Sequence, residues 1–315
     1  MIPGGGAPWH GIYPSTVLPM RPDFAPDWDA YASHTAACGL HPGVAGVLCN
    51  GHAGENFVLS AGEKRRAVAE TVRVAGASRI VVAGVNAEGS LDAAREAADA
   101  ADAGADALMV FAPNGFALSQ DGDMAWRHHR IIADAVPGVP LFLFQAHHGA
   151  GRMAYAPDVL DRLLDLPAVA GIKEGGWEVN RYDALRRRVR ARRPGVAVMA
   201  SGDEHLMACM AHGSDGSMVS LADIVPGDIL ALDAAVRRSD LAAARAAHDR
   251  IEPLADAIYG QPPPGRATAR IKWCLHALGC VPCAAVRPPV GPVDGAEAAM
   301  LRAALAGLGA VPRAS

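Results

Sequence analysis

The sequence predicts an α/β protein: a (β/α)8 TIM barrel with a C-terminal helical extension. Three observations carry that prediction. Eight short apolar runs alternate with longer Ala/Arg/Glu-rich stretches of helical spacing. After the eighth run the pattern turns helical only. No Gly-x-Gly-x-x-Gly opens a helix after the first run, which argues against an open doubly wound sheet. Eight strand–helix units without a gap favour a closed parallel barrel with right-handed crossovers.

The elements follow in order. Strands are expected at 12–18, 44–49, 80–85, 107–111, 141–145, 169–173, 196–200 and 217–221, each a short apolar run. Between them, helices are expected at 27–38, 61–75, 91–103, 121–135, 157–164, 179–192 and 204–211, where apolar and charged residues recur at helical spacing. A helix at 229–237 completes the barrel, and helices at 241–258, 268–278 and 296–308 form the extension. Proline joints at Pro262-Pro263-Pro264 and Pro288-Pro289 separate these last segments. The barrel is assigned to 1–237 and the extension, packed on it, to 238–315.

The chain has 315 residues, 51% hydrophobic and 20% charged, enough for one large α/β domain. Its net charge is -4 without a long block of either sign, and the arginines from Arg186 to Arg193 read as a solvated helix face. Nucleic-acid binding is therefore not expected. No apolar run reaches the length of a membrane span, and Met1 to Gly6 lacks a basic segment and an apolar signal core. Six cysteines are scattered, and only Cys280 and Cys283 have Cys-x-x-Cys spacing. A reduced, cytoplasmic enzyme with no cofactor is the simplest expectation.

Barrel chemistry sits at the C-terminal ends of the strands. The sixth run, Val169-Ala170-Gly171-Ile172-Lys173, ends in a lysine followed by Glu174 and two glycines. A lysine buried there loses affinity for its proton, and the free amine can attack a carbonyl to form a Schiff base. The alternative is a structural lysine paired with a carboxylate such as Glu174. The second run ends in Gly51-His52-Ala53-Gly54-Glu55, whose small steps let backbone amides converge on a carboxylate. The fifth ends in Phe144-Gln145-Ala146-His147-His148, and the seventh in Ser201-Gly202-Asp203, where Asp203 could cap the next helix.

In this order, these segments resemble the dihydrodipicolinate synthase / N-acetylneuraminate lyase family of class I aldolases. That family carries a Gly-Thr-Thr-Gly-Glu loop after strand two, Tyr-Asn-x-Pro on strand five, Gly-x-Lys-[Glu/Asp] on strand six and Ser-Gly-Asp after strand seven. Ile271-Lys272-Trp273 resembles its C-terminal helix, so the likeness spans nearly the whole chain. The resemblance implies an imine between Lys173 and a 2-oxo acid, pyruvate or a pyruvate-containing substrate. It implies a carboxylate held by the amides of His52 and Ala53 beside Gly51, and a pocket lined by Phe144, Gln145, Gly202 and Met218. It also implies a homo-oligomer, a tetramer or dimer.

The departures matter as much. His52 and Ala53 stand where the family has threonines, and Phe144 where it has a tyrosine. No tyrosine lies near Ala112-Pro113-Asn114-Gly115, and the arginine position falls on Gly149, with Arg152 close but unaligned. The lysine-biosynthetic condensation of pyruvate with aspartate semialdehyde is therefore not expected. His52, with His147 or His148, is the expected proton carrier, since histidine titrates near neutrality. A zinc site on these histidines and Glu55 is the sharper rival, but an imine lysine makes a Lewis acid redundant. Lyase chemistry at Lys173 leads. A Schiff-base dehydratase or hydratase-aldolase is the alternative, and a catalytically inactive metabolite-binding barrel is the third reading.

Overall fold

The structure, a computed structural model, describes residues 9–119 and 121–309. The N-terminal segment Met1 to Gly6 lies outside the described residues. Eight parallel strands form one sheet: β1 (Gly11–Pro14), β2 (Gly46–Cys49), β3 (Ile80–Val85), β4 (Ala107–Val110), β5 (Leu141–Gln145), β6 (Val169–Glu174), β7 (Ala197–Ala200) and β8 (Gly216–Val219). Each strand pairs with its sequence neighbour, and β1 pairs with β8. Single parallel bridges from Ile12 to Val44 and from Ser15 to Leu48 close the ring. The sheet is thus the expected TIM barrel, with no free edge.

Eight helices cover it: α1 (Trp28–Gly39), α2 (Ala61–Ala75), α3 (Ser90–Asp102), α4 (Gly122–Ala135), α5 (Pro157–Leu164), α6 (Val179–Arg192), α7 (Leu206–Ala211) and α8 (Pro226–Arg237). Local chemistry sets their starts. Ser60 and Glu63 form a reciprocal capping box on α2, Asp27 caps α1, and Pro157 and Pro226 open α5 and α8. The extension adds α9 (Leu241–Ala255), α10 (Ala267–Ala277) and α11 (Gly295–Gly307). Their Leu254, Ile271, Leu275 and Leu301 share one apolar cluster with Ile172 and Val198 of the barrel.

Two expected elements end earlier than their apolar runs. The first strand stops at Pro14, although Ser15 and Thr16 still donate backbone hydrogen bonds to Val219 and Leu48. The expected helix at 241–258 gives way after Ala255 to a π-helical turn, Asp256–Gly260.

Strand alternation decides which side chains reach the barrel interior. Tyr13, Leu48, Val82, Met109, Phe142, Met199 and Met218 fill it as a buried cluster, and Trp9 meets Phe142 edge-on with centroids 5.1 Å apart. On β6, Gly171 and Lys173 share the inner face, whereas Ile172 packs outward with Leu160 and Leu185 of the surrounding helices. Gly171 is required there: a Cβ would fall 2.1 Å from the Phe142 ring. The interior is thus a packed plug, and Lys173 is carried above it.

Candidate active site

Lys173 sits on β6, in register with Phe144 of β5 and Met199 of β7. It is 9% exposed, and its Nζ lies 5.8 Å from the centre of the Phe144 ring. Burial lowers its pKa below the usual lysine range, and the neighbouring Asp203 opposes the shift. Asp203, buried on the next strand end, has its own pKa raised by the same loss of water. Its Oδ1 accepts a hydrogen bond from the Leu221 amide at 2.9 Å, so it braces the end of β8 rather than capping α7.

Lys173 opens into a cavity of about 400 Å³. His52 and Ala53 form one wall, with Ser15, Ser201 and Met218 also facing it. Aromatic surface dominates another part: Phe57, Phe144, Trp177 and Tyr259 line it. The extension completes the cavity with Tyr259, Thr268 and Ile271. Lys173 is the one lysine or arginine among the described residues lining it.

The loop after β2 is held rigidly. Asn50 and Glu55 both adopt positive φ, at 52° and 61°. The Asn50 side chain donates to the Lys64 carbonyl, and Asn56 donates to the Asn50 carbonyl, each at 2.9 Å. The buried Lys272 ammonium pairs with Glu55, and the Arg287 amide donates to Glu55 Oε1 at 2.8 Å. Glycine at 84 is needed beneath this loop, because a Cβ there would lie 2.0 Å from the Asn50 carbonyl oxygen. Within the turn, the amides of Gly54 and Glu55 bond back to Gly51 and His52. Among the described residues, the amides of His52 and Ala53 donate to no protein acceptor. They therefore remain available to a ligand carboxylate.

The histidines depart from the sequence reading. The His52 ring stacks on Phe111 with centroids 4.2 Å apart and lies 4.6 Å from Phe57. Burial, followed by the Lys173 charge, lowers its pKa to about 3. It stays neutral at physiological pH, so the expected near-neutral proton carrier is not found there. After Ala146 a short 3₁₀ turn, His148–Met153, leads the chain away from the cavity. His147 accepts from the Gly149 amide at 3.0 Å, and His148 pairs with Glu178 at 2.6 Å. Neither lines the lysine cavity.

The conceived zinc set does not assemble, because Glu55 is engaged by Lys272 while His147 and His148 converge on Glu178. His147, His148 and Glu178 offer ligand atoms within 4.8 Å of one another at the surface, as do the buried His34, Cys38 and Asp223. His34 and Asp223 already pair with each other, and the Cys38 thiol faces the Thr35 carbonyl.

Gln145 also moves. Strand alternation turns it away from Phe144 into a separate cavity of about 460 Å³ on the helix side, with Glu174. Glu174 is therefore no partner for Lys173; burial raises its pKa to about 7, and its Oε1 accepts from Gly176. Gly51 and Gly202 support the cavity from behind its lining. A Cβ at Gly51 would meet Ser15 Oγ at 2.9 Å, and Gly202, at φ 95°, leaves room for Trp177. Phe144, Ala53 and Met218 line the cavity. Tyr259, Trp177 and Thr268 were not singled out from sequence.

Known proteins are similar to this chain over most of its length. Residues 9–307 match the Dihydrodipicolinate synthetase family. A 4-hydroxy-tetrahydrodipicolinate synthase of Neisseria meningitidis is 32% identical over 269 residues, covering 84% of this chain and 87% of its own. The chloride-inhibited dihydrodipicolinate synthase of Acinetobacter baumannii, solved with pyruvate, superposes with a TM-score of 0.85 at 26% identity, covering 96% of this chain and 99% of its own. A monomeric dihydrodipicolinate synthase variant gives a TM-score of 0.87 at 19% identity, covering 98% of this chain and all of its own.

Proposed function

The chain belongs to the dihydrodipicolinate synthetase family, aldolase-type lyases that act through a Schiff base, and on that premise we propose that Lys173 forms the imine with a 2-oxo acid whose reacting partner is apolar or aromatic. The carrying observation is the cavity itself: one buried lysine at a strand end, free amides at His52 and Ala53 for a carboxylate, and an aromatic surface beyond them.

The neutral amine attacks the 2-oxo carbon, and loss of water leaves a protonated imine. That cation withdraws electrons from the adjacent carbon and stabilises the enamine through which the C–C bond is made or broken. Placing the carboxylate at His52 and Ala53 fixes which end of the substrate faces Lys173. The rest of the substrate then meets Phe57, Phe144 and Trp177.

The relatives carry the name of the synthase that makes 4-hydroxy-tetrahydrodipicolinate. We assign this chain a different acceptor. Aspartate semialdehyde brings its own carboxylate and ammonium group, and beyond Lys173 and Asp203, which face each other, the cavity lining supplies no charged side chain to pair with them. Burying an unpaired charge is costly. Pyruvate with an aryl aldehyde is expected to give aldol product, whereas pyruvate with aspartate semialdehyde is expected to turn over at least about 10²-fold more slowly. Product formation by liquid chromatography checks this. Equal or faster turnover with aspartate semialdehyde contradicts it.

The same reading extends to assembly. The turns after β3 and β4 are joined where Glu88 accepts from the Asn114 and Gly115 amides, and Leu91, in the first turn of α3, and Leu118, after β4, are 67% and 91% exposed. Exposed leucines so placed support an isologous contact between two copies of the chain. Light scattering is expected to give a dimer or tetramer, and Leu118→Asp is expected to shift it toward monomer. A concentration-independent wild-type monomer contradicts the proposal.

A further inference from the structure

The imine pocket needs a group that returns a proton to the enamine carbon when the 2-oxo acid is released. The residues first suited to this do not serve. Phe144 has no hydroxyl, His147 and His148 lie outside the cavity, and His52 is held neutral between aromatic rings. Tyr259 is the one phenol among the described residues lining the cavity.

Its placement is specific. Tyr259 comes from the π-helical turn Asp256–Gly260 that interrupts the extension after α9, and such turns re-aim side chains at functional sites. Its ring lies 6.3 Å from that of Trp177, a second lining residue, and is half-buried. Ser220, which also faces the cavity, is the polar neighbour of its hydroxyl, and Asp203 and Glu204 lie close enough for their charges to act on it. Burial first, then those carboxylates, push its pKa well above the usual tyrosine range. The phenol therefore rests protonated at neutral pH, as a donor.

Resting on the assignment of Lys173 as the imine residue, we propose that Tyr259 is the proton donor to the enamine carbon, with Ser220 positioning its hydroxyl. After C–C cleavage the enamine holds the electron pair of the broken bond. That pair takes the Tyr259 proton, forming a C–H bond and restoring the imine. The phenolate regains a proton from solvent by way of Ser220, and water then releases the 2-oxo acid from Lys173. Run in reverse with pyruvate alone, Ser220 carries the phenol proton to solvent, the phenolate takes a methyl proton from the imine, and methyl hydrogens thereby exchange with solvent.

The test uses pyruvate in D2O, with loss of the methyl signal followed by proton NMR and borohydride-trapped Lys173 adduct measured by mass in parallel. Tyr259→Phe is expected to lower exchange about 10²–10⁴-fold while leaving the trapped fraction unchanged. Ser220→Ala is expected to give a smaller loss of exchange, again with unchanged trapping. Exchange at the wild-type rate in Tyr259→Phe overturns the proposal. So does loss of trapping together with exchange, because Tyr259 would then be holding the pocket together. Absence of trapping in the wild-type protein instead defeats the imine assignment, so the two failures are distinguishable.

Discussion

Lys173→Ala is expected to reduce turnover to background, a loss on the order of 10⁴-fold or more, without unfolding the protein. The reasoning has two parts. Every covalent step passes through this amine, and a nearby side chain cannot replace it: Lys272, the other buried lysine of the C-terminal half, is committed to Glu55. Stability should not suffer, because Lys173 is buried with its pKa lowered and leaves behind Asp203, whose raised pKa lets it take up a proton. Thermal denaturation is expected to give a melting temperature no lower than wild type. The same burial sets a pH dependence. The reactive amine increases as pH rises through the lowered Lys173 pKa, so trapping of pyruvate should climb with pH and level off well below the ordinary lysine value of about 10.4. A rate still rising at that ordinary value would show an exposed, unperturbed lysine.

Lys272→Ala is expected to be the most destabilising single substitution near the site. Its ammonium is fully buried against Glu55, which is 8% exposed. Removing one partner of a buried ion pair costs about 3–5 kcal/mol, because the other charge is left without compensation. Here the orphaned Glu55 also sits at positive φ in the loop that presents the His52 and Ala53 amides. Weaker pyruvate capture should therefore accompany the lower stability. Urea denaturation measures the first effect and the pyruvate concentration for half-maximal trapping the second. A double variant, Lys272→Met with Glu55→Gln, removes both charges and is expected to recover part of the stability. A loss under about 1 kcal/mol in Lys272→Ala would mean that the loop does not depend on this pair.

Much of the fold was legible because each unit is local. The helix Ala61–Ala75 begins at a capping box within four residues of sequence, and β5 and β6 are apolar runs closed by polar residues. Lys173 stood out for the same reason, as a charge ending an apolar strand. Gln145 was misplaced although the information was present: Phe144 points inward, so its neighbour on the strand must point outward. The histidines were misread for a different reason. Whether His52 meets water or aromatic rings depends on Phe57 and Phe111, and Phe111 stands just past another strand. Tyr259 was least accessible, since it reaches the barrel mouth only through a π turn and the packing of the extension against the barrel.

Wild-type protein incubated with pyruvate and borohydride, then weighed intact and mapped by peptide mass, is expected to carry one reduced pyruvate adduct per chain. The adduct should map to Lys173 and be missing from Lys173→Ala. An adduct on any other lysine, or equal labelling of wild type and Lys173→Ala, would contradict the assignment of Lys173 as the residue that forms the imine.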